Sequence, residues 1–172
     1  MANKEIESVF DWFEPPAGAT AQSIAAIEAT FARTLPEGIR KLITAVAGGV
    51  PDSPSDFDFI DNTGAPFQGC VSSFLMADGT GVGTILWCVR LLRSEGHDQL
   101  LPFADAGGGN LICCTLDCTP QPPVVYWHHE AVGKEAVSAL APDTGAFIKM
   151  LQPPDTDDDD RHCSAPGSSE DE

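Results

Sequence analysis

The sequence is poor in basic residues and has no long apolar segment. Lys and Arg total nine against 26 Asp and Glu, which gives a formal net charge of −17 at pH 7. Such a field repels phosphate groups, so the composition disfavours binding to nucleic acid or to anionic membranes and favours a cationic protein partner. The longest apolar runs, residues 43–47 and 85–89, are far shorter than the roughly 18 residues that a membrane-spanning helix needs.

The N-terminus also lacks the pattern of a secretory signal. Residues 1–18 carry acids and paired prolines instead of a basic start and an uninterrupted apolar stretch. We therefore expect a cytoplasmic protein whose six cysteines are free thiols, because that compartment is reducing. Cys88, Cys113 and Cys114 stand inside apolar runs and are expected to be buried.

Composition divides the chain into one folded unit and its two ends. Residues 152–172 hold eight acids, one arginine and almost no apolar side chains, and residues 1–151 keep a net charge of −10. Because such a segment cannot offset the entropy of ordering, we expect an acidic disordered tail at 152–172. An N-terminal extension is expected at 1–19 and a single domain at 20–151.

Apolar spacing and turn residues predict the elements of this domain. Four strands are expected, at residues 57–60, 71–77, 111–116 and 124–129, the last two pairing as a hairpin. Four helices are expected: one capped by Thr20, one that follows Leu35-Pro36 and ends before Gly48-Gly49, one from Val82 to about Ser94, and a closing helix around Phe147 behind Asp143 or Thr144.

This order of elements places helices at the N-terminus, in the middle and at the C-terminus of a strand-rich chain. It favours an α+β domain with a central, mostly antiparallel sheet over an alternating α/β fold.

Several short motifs follow one another in an order typical of one family. They are Leu35-Pro36, Gly48-Gly49-Val50-Pro51, Leu101-Pro102-Phe103-Ala104-Asp105, Gly107-Gly108-Gly109-Asn110, the strand at 111–117, Val124-Val125-Tyr126-Trp127-His128-His129-Glu130, and Phe147. With these landmarks, residues 20–151 resemble the SUKH superfamily of Smi/Knr-like domains, which includes bacterial immunity proteins and fungal cell-wall-assembly regulators.

The resemblance implies a domain that acts by binding and carries no shared catalytic residues. Combined with the acidity of the chain, it favours an immunity protein that neutralises a cognate toxin, most naturally a basic nuclease or deaminase. An intracellular scaffold or regulator of cell-wall synthesis is the alternative.

Three motifs invite a chemical interpretation but have the wrong spacing. The glycine repeat at residues 79–83 misses the G-x-G-x-x-G pattern of a dinucleotide-binding turn by one residue. The His128-His129 pair would alternate faces on a strand and could not readily share a metal ion. Cys114-x₃-Cys118 lacks the paired spacing of a zinc site. We therefore expect no catalytic, cofactor-binding or metal-binding residue, and a small metal-dependent hydrolase is the least favoured function.

Acids in the body of the chain are the candidate partner-binding residues. Such acids would occupy the positive site that a toxin uses for nucleic acid, and they would speed association. The candidates are Asp52, Asp56, Asp58, Asp61, Asp78, Glu95 and Asp98. A solvated loop face is the alternative interpretation of each of them.

Overall fold

The computed structural model describes residues 2–117 and 119–153, with side chains from Glu5 onward. The helices are α1 (Ala2–Glu7), α2 (Ala21–Phe31), α3 (Glu37–Val46), α4 (Ile85–Ser94) and α5 (Thr144–Met150), with a 3-10 turn at Gly133–Ala136. The strands are β1 (Asp11–Glu14), β2 (Val50–Ser53), β3 (Asp56–Ile60), β4 (Pro66–Cys70), β5 (Ser73–Phe74), β6 (Leu100–Asp105), β7 (Leu111–Thr115), β8 (Val124–Trp127) and β9 (Val137–Ala141).

The centre of the fold is a five-stranded antiparallel sheet in the order β5-β6-β7-β8-β9. Strands β6, β7 and β8 are buried along nearly their whole length, so both faces of the sheet are covered. Helix α4 packs against β6, while α5 contacts α3 and β9. The architecture is a single α+β domain, and the prediction of the fold class is confirmed.

Three helix caps explain where the predicted helices begin. The Thr20 hydroxyl accepts a hydrogen bond from the Ser23 N–H at 3.1 Å, and the Ser23 hydroxyl accepts one from the Thr20 N–H, which completes a capping box. The Asp143 carboxylate accepts from the Ala146 N–H at 2.8 Å. Thr84 caps α4, so the expectation that this helix begins at Val82 is wrong. Gly83 has a φ of +83°, which no helical residue adopts.

The strand predicted at 71–77 is also too long. Only Ser73 and Phe74 form ladder pairs with β6. The flanking Ser72 and Leu75 N–H groups still donate to the Asp105 and Phe103 carbonyls of β6, and the chain beyond them bonds elsewhere. The Val71 N–H donates to the Ser55 carbonyl at 2.8 Å, and the Met76 N–H donates to Gly83 at 3.0 Å. Among the cysteines, Cys88, Cys113 and Cys114 are free and buried as expected, but Cys70 is disulfide-bonded, so the prediction of free thiols is wrong for that residue.

Strands β3 and β4 form a separate hairpin that lies against the sheet. Phe57 and Phe59 are buried while the residues between and beside them point outward. The Phe57 ring lies 6.2 Å from the Tyr126 ring and 5.8 Å from the Phe147 ring, and Phe59 lies 5.1 Å from Tyr126. These aromatic contacts fasten the hairpin to β8 and α5.

The two ends of the described chain both contact the domain. Phe10 is buried and lies 5.4 Å from the Phe74 ring, which brings β1 against β5. At the other end, the Gln152 N–H donates to the Asp56 carbonyl at 2.7 Å, and the Ser55 and Asp56 N–H groups donate to the Gln152 carbonyl at 3.0 Å. Of the disordered tail predicted at 152–172, residues 154–172 lie outside the described residues, and the domain boundaries stay a prediction.

The bonds of Gln152 predict a sharp difference between two truncations. A chain that ends at Pro153 keeps them and should unfold close to the midpoint of the full chain. A chain that ends at Leu151 loses three backbone hydrogen bonds, worth about 1–3 kcal/mol in total, and its midpoint should fall by about 3–8 °C. Thermal denaturation in reducing buffer, which removes any contribution of the Cys70 disulfide, measures the difference. Equal midpoints for the two truncations would show that Gln152 does not hold the hairpin.

A second prediction concerns the space that the Phe57 ring occupies across from Gly69 in the hairpin. A Cβ at Gly69 would lie 2.5 Å from the Phe57 ring, whereas one at Gly81 would meet nothing within 4 Å. Because Phe57 is fully buried, Gly69→Ala should cost about 1–3 kcal/mol of unfolding free energy through overpacking. Gly81→Ala, the matched control, should leave stability nearly unchanged. Denaturant unfolding of both variants tests this, and a neutral Gly69→Ala would mean that the ring moves freely.

The third prediction concerns His128, whose half-buried ring lies 4.7 Å from Tyr126 and whose Nε2 lies 3.1 Å from the Ser138 hydroxyl. Burial lowers its pKa below the ordinary 6.5, and the nearby Asp61 charge only partly opposes this. The unfolded chain therefore takes up the proton first, so stability is full above pH 6.5 and falls as the pH drops below it. In midpoints measured across that range, His128→Phe should lose less stability than the unaltered chain. Equal losses of stability in the variant and the unaltered chain would show that His128 is not the source of the pH dependence.

Candidate partner-binding site

The hairpin turns one side of β3 and β4 toward solvent. Asp58 pairs with Gln68 across the strands, and Ile60 pairs with Pro66. Cross-strand partners share a face of the ribbon, so these four residues and Asp56 form one surface, which we call the outer hairpin face. Ile60 is 61% exposed, an unusual position for a large apolar side chain beside two carboxylates.

A shallow open groove of about 410 Å³ runs along this face. Its lining residues are Asp58, Phe59, Ile60, Pro66, Phe67 and Gln68, and we call it the hairpin groove. Its walls are mainly apolar, and among the described residues that line it Asp58 alone is ionisable. The Asp58 Oδ2 accepts a hydrogen bond from the Gln152 Nε2 at 3.2 Å, which orients the carboxylate without neutralising it.

Asp61 closes the hairpin at the end of β3. Its Oδ1 accepts hydrogen bonds from the Thr63 hydroxyl at 2.6 Å, the Thr63 N–H at 2.8 Å and the Ala65 N–H at 3.0 Å. These bonds, that of the Thr63 hydroxyl first, hold the pKa of Asp61 below its ordinary value. Asp61 is therefore a fixed negative charge whose main structural role is to shape the turn.

Asp52 extends the negative charge from the hairpin to the neighbouring ribbon of β1 and β2. It is exposed on β2, and the opposite strand β1 carries exposed Asp11 and Glu14. The chain has no Lys or Arg between Lys41 and Arg90. The ribbon strand β2 and both hairpin strands fall in this stretch, so their acids have no basic neighbour in sequence.

The other three candidate acids lie elsewhere. Asp78 is exposed in the loop before α4, where Arg90 donates a hydrogen bond to the Thr80 carbonyl. Glu95 caps the opposite end of α4, and Asp98 follows it. A ten-residue helix spans about 15 Å, so the structure does not bring these acids together as one patch.

Two arginines lie at the same end of the molecule as Glu95 and Asp98. Arg93 stands two residues before Glu95 and donates to the Thr30 carbonyl at 2.7 Å. Arg33 donates to the Leu116 carbonyl, and the Leu116 N–H in turn donates to Gln99, next to Asp98. The negative field of these two acids is therefore partly offset.

The motifs that suggested a family have structural roles. Gly107, Gly108 and Gly109 all have positive φ, and Asn110, which follows them, accepts at its Oδ1 from the His129 N–H at 3.1 Å. A Cβ at Gly109 would lie 3.2 Å from the His129 ring. The glycine turn thus joins the β6–β7 connection to the end of β8, where His128 and His129 have different partners.

The buried thiols of the core are unreactive. Burial raises the pKa of Cys88 to about 11 and raises those of Cys113 and Cys114 as well. They stay protonated at pH 7 and supply no thiolate for nucleophilic attack or metal binding. Within residues 2–117 and 119–153, no group of three or more His, Cys, Asp or Glu side chains is arranged to hold a metal ion.

Sequence reasoning missed the neutral residues of the site, namely Ile60, Pro66, Gln68 and Gln152. One sequence signal could have indicated that Ile60 is exposed. Residues alternate between buried and exposed along Asp56–Ile60, so burial of the two phenylalanines places Ile60 on the outer side with the acids. The contact between Gln152 and Asp58 joins positions 94 residues apart, and no local pattern indicates it.

Comparison with known proteins places the chain in a family. No curated protein matches it, and no helix in the described part of the chain is long and apolar enough to cross a membrane. Proteins of the family found here are in general immunity or regulatory proteins that bind protein partners rather than enzymes. The family description "SMI1 / KNR4 family (SUKH-1)" matches residues 18–150, so the predicted resemblance is confirmed and the chain belongs to this family.

Proposed function

We propose that the protein is an immunity protein that binds and neutralises a cognate basic toxin domain, a nuclease or a deaminase, through its outer hairpin face. The observation that carries this proposal is the stretch between Lys41 and Arg90, which has five acids and no Lys or Arg. A toxin that acts on nucleic acid needs a positive surface for its substrate, and an acidic protein surface competes for that surface.

The centre of the proposed interface is Asp56 and Asp58, with Asp61 and Asp52 at its borders. None of these acids forms an ion pair with another described residue, so their charge remains available to a partner. Glu95 and Asp98 lie at the end of the molecule that carries Arg33 and Arg93, and Asp78 lies in a separate loop. We place these three outside the contact.

Inhibition by this surface requires no chemistry. The acids raise the rate of encounter with a cationic domain, and the bound hairpin then blocks access of nucleic acid to the positive site. The family alternative, an intracellular scaffold or regulator of cell-wall synthesis, would also act by binding, but no feature of the hairpin favours it.

The gene neighbourhood supplies the partner for the test. The C-terminal domain of a large secreted protein encoded next to this chain should be toxic when expressed alone and harmless when co-expressed with it. The two purified proteins should form a stable complex. A neighbouring toxin domain that neither binds nor is neutralised would contradict the proposal and favour the regulator.

Two double charge reversals test the location of the interface. Asp56→Lys/Asp58→Lys and Glu95→Lys/Asp98→Lys change the net charge equally, so any difference between them comes from position. We expect the first pair to slow association with the toxin domain by at least about tenfold and the second by much less. Stopped-flow or surface-binding kinetics measure both. Equal effects would show that only the net charge of the protein matters.

The salt dependence of the association rate provides the companion measurement. The screening length falls from about 10 Å at 0.1 M to about 3 Å at 1 M, so association should slow with salt while dissociation changes less. An association rate that is constant over this range would reject electrostatic steering.

A further inference from the structure

The hairpin groove combines two features that a purely electrostatic surface does not need. Ile60 and Pro66 present apolar surface to solvent directly across the ribbon from each other, and Asp58 stands on the same face two residues before Ile60. Residues i and i+2 of a strand are about 7 Å apart. Ile60 and Pro66 thus form an apolar floor that ends at the Asp58 carboxylate. One long side chain could reach from this floor to the carboxylate.

This arrangement matches a basic side chain better than it matches other occupants. Lys and Arg bury their carbon stems along apolar surface while the charged head remains hydrated or paired. A second copy of this chain would place its own Asp56 and Asp58 against the same acids, which is unfavourable in a self-complementary contact. A small-molecule site would enclose its ligand, whereas this groove is open.

Arginine fits the groove better than lysine. Its guanidinium is planar, weakly hydrated and able to pair with a carboxylate through two hydrogen bonds. The Gln152 amide holds the Asp58 Oδ2 at 3.2 Å and thereby orients the carboxylate that such a pair requires. Pro66, which is exposed on β4, supplies flat apolar surface, on which a guanidinium packs better than an ammonium group.

We propose that the hairpin groove receives an arginine side chain of the basic partner, with its stem on Ile60 and Pro66 and its guanidinium on Asp58. This inference rests on the proposed function and refines it, because it assigns selectivity as well as charge to the same face. The acids attract any basic surface, and the groove distinguishes a partner that presents arginine at the right place.

Two blocked peptides of equal length and charge, one alternating Gly and Arg and the other Gly and Lys, are the probes. Titrated into the full chain at low salt and followed by NMR, the arginine peptide should bind about three- to tenfold more tightly. Its largest shifts should fall on Ile60 and Gln68. Equal affinities for the two peptides would overturn the inference.

Four variants assign any preference to the groove. Ile60→Ser removes the apolar floor, and Val132→Ser, at an 84% exposed position before the 3-10 turn, is its control. Asp58→Asn removes the carboxylate, and Glu95→Gln is its control. The arginine preference should fall to about one in Ile60→Ser and Asp58→Asn and persist in both controls. A preference that survives Ile60→Ser would also overturn the inference.

The same variants separate this inference from the proposed function. With the toxin domain as partner, a loss of affinity in Ile60→Ser but not in Val132→Ser supports the groove. Unchanged toxin binding in Ile60→Ser, together with a slower on-rate in Asp56→Lys/Asp58→Lys, would refute the groove and leave the proposed function standing. Absence of toxin binding by the unaltered chain would refute the proposed function itself.

Discussion

The aromatic contacts of Phe57 determine where the acidic surface lies. The β3–β4 hairpin shares no strand ladder with the five-stranded sheet, so side-chain packing is the main contact between the two. Phe57 is fully buried against the rings of Tyr126 and Phe147. Because side chains alternate along a strand, seating Phe57 and Phe59 in the core obliges Asp56, Asp58 and Ile60 to face solvent. The proposed binding face is thus a consequence of how the core is packed.

Polar contacts at both ends of the hairpin add to this anchoring. At the turn end, the Asn62 amide donates to the Val137 carbonyl, and the Asn62 N–H donates to the Ser138 hydroxyl at 3.2 Å. At the open end, Gln152 exchanges backbone hydrogen bonds with Ser55 and Asp56. A surface held at three places loses little conformational freedom when a partner binds, and preorganisation of this kind increases affinity without adding contacts.

Local signals predicted the elements that depend on local chemistry. Thr20 and Asp143 cap their helices as expected, and the alternation around Phe57 and the apolar run at β7 produce strands. Elements set by distant residues were missed. Strand β4 contains a proline and a glycine, and Gly69 is required only because Phe57 lies across from it. Strand β6 carries Pro102 in its interior, tolerated beside a register shift in its ladder with β7.

The same distinction holds for the residues of the candidate site. Acidic residues can be identified in a sequence, whereas the residues that surround them in the fold cannot. All seven candidate acids could be named from the sequence. How well each of them could bind a cationic partner depends on the neighbours that folding brings to it. Arg33 and Arg93 lie at the end that carries Glu95 and Asp98, and Lys134 lies at the turn of the hairpin, where its carbonyl accepts a hydrogen bond from the Asn62 amide. Ile60 was overlooked because a single exposed apolar residue has meaning only beside the groove it lines.

Charge and apolar surface on the hairpin would act at different stages of recognition. The hairpin carboxylates form no ion pair with another described residue; they would act over a screening length and therefore influence mainly the rate of encounter. Ile60 and Pro66 act only in contact, so they influence mainly the lifetime of the complex. Exposed acids contribute little to folding stability. Substitutions on the outer hairpin face can therefore change its charge and its groove while Phe57 stays buried in the core.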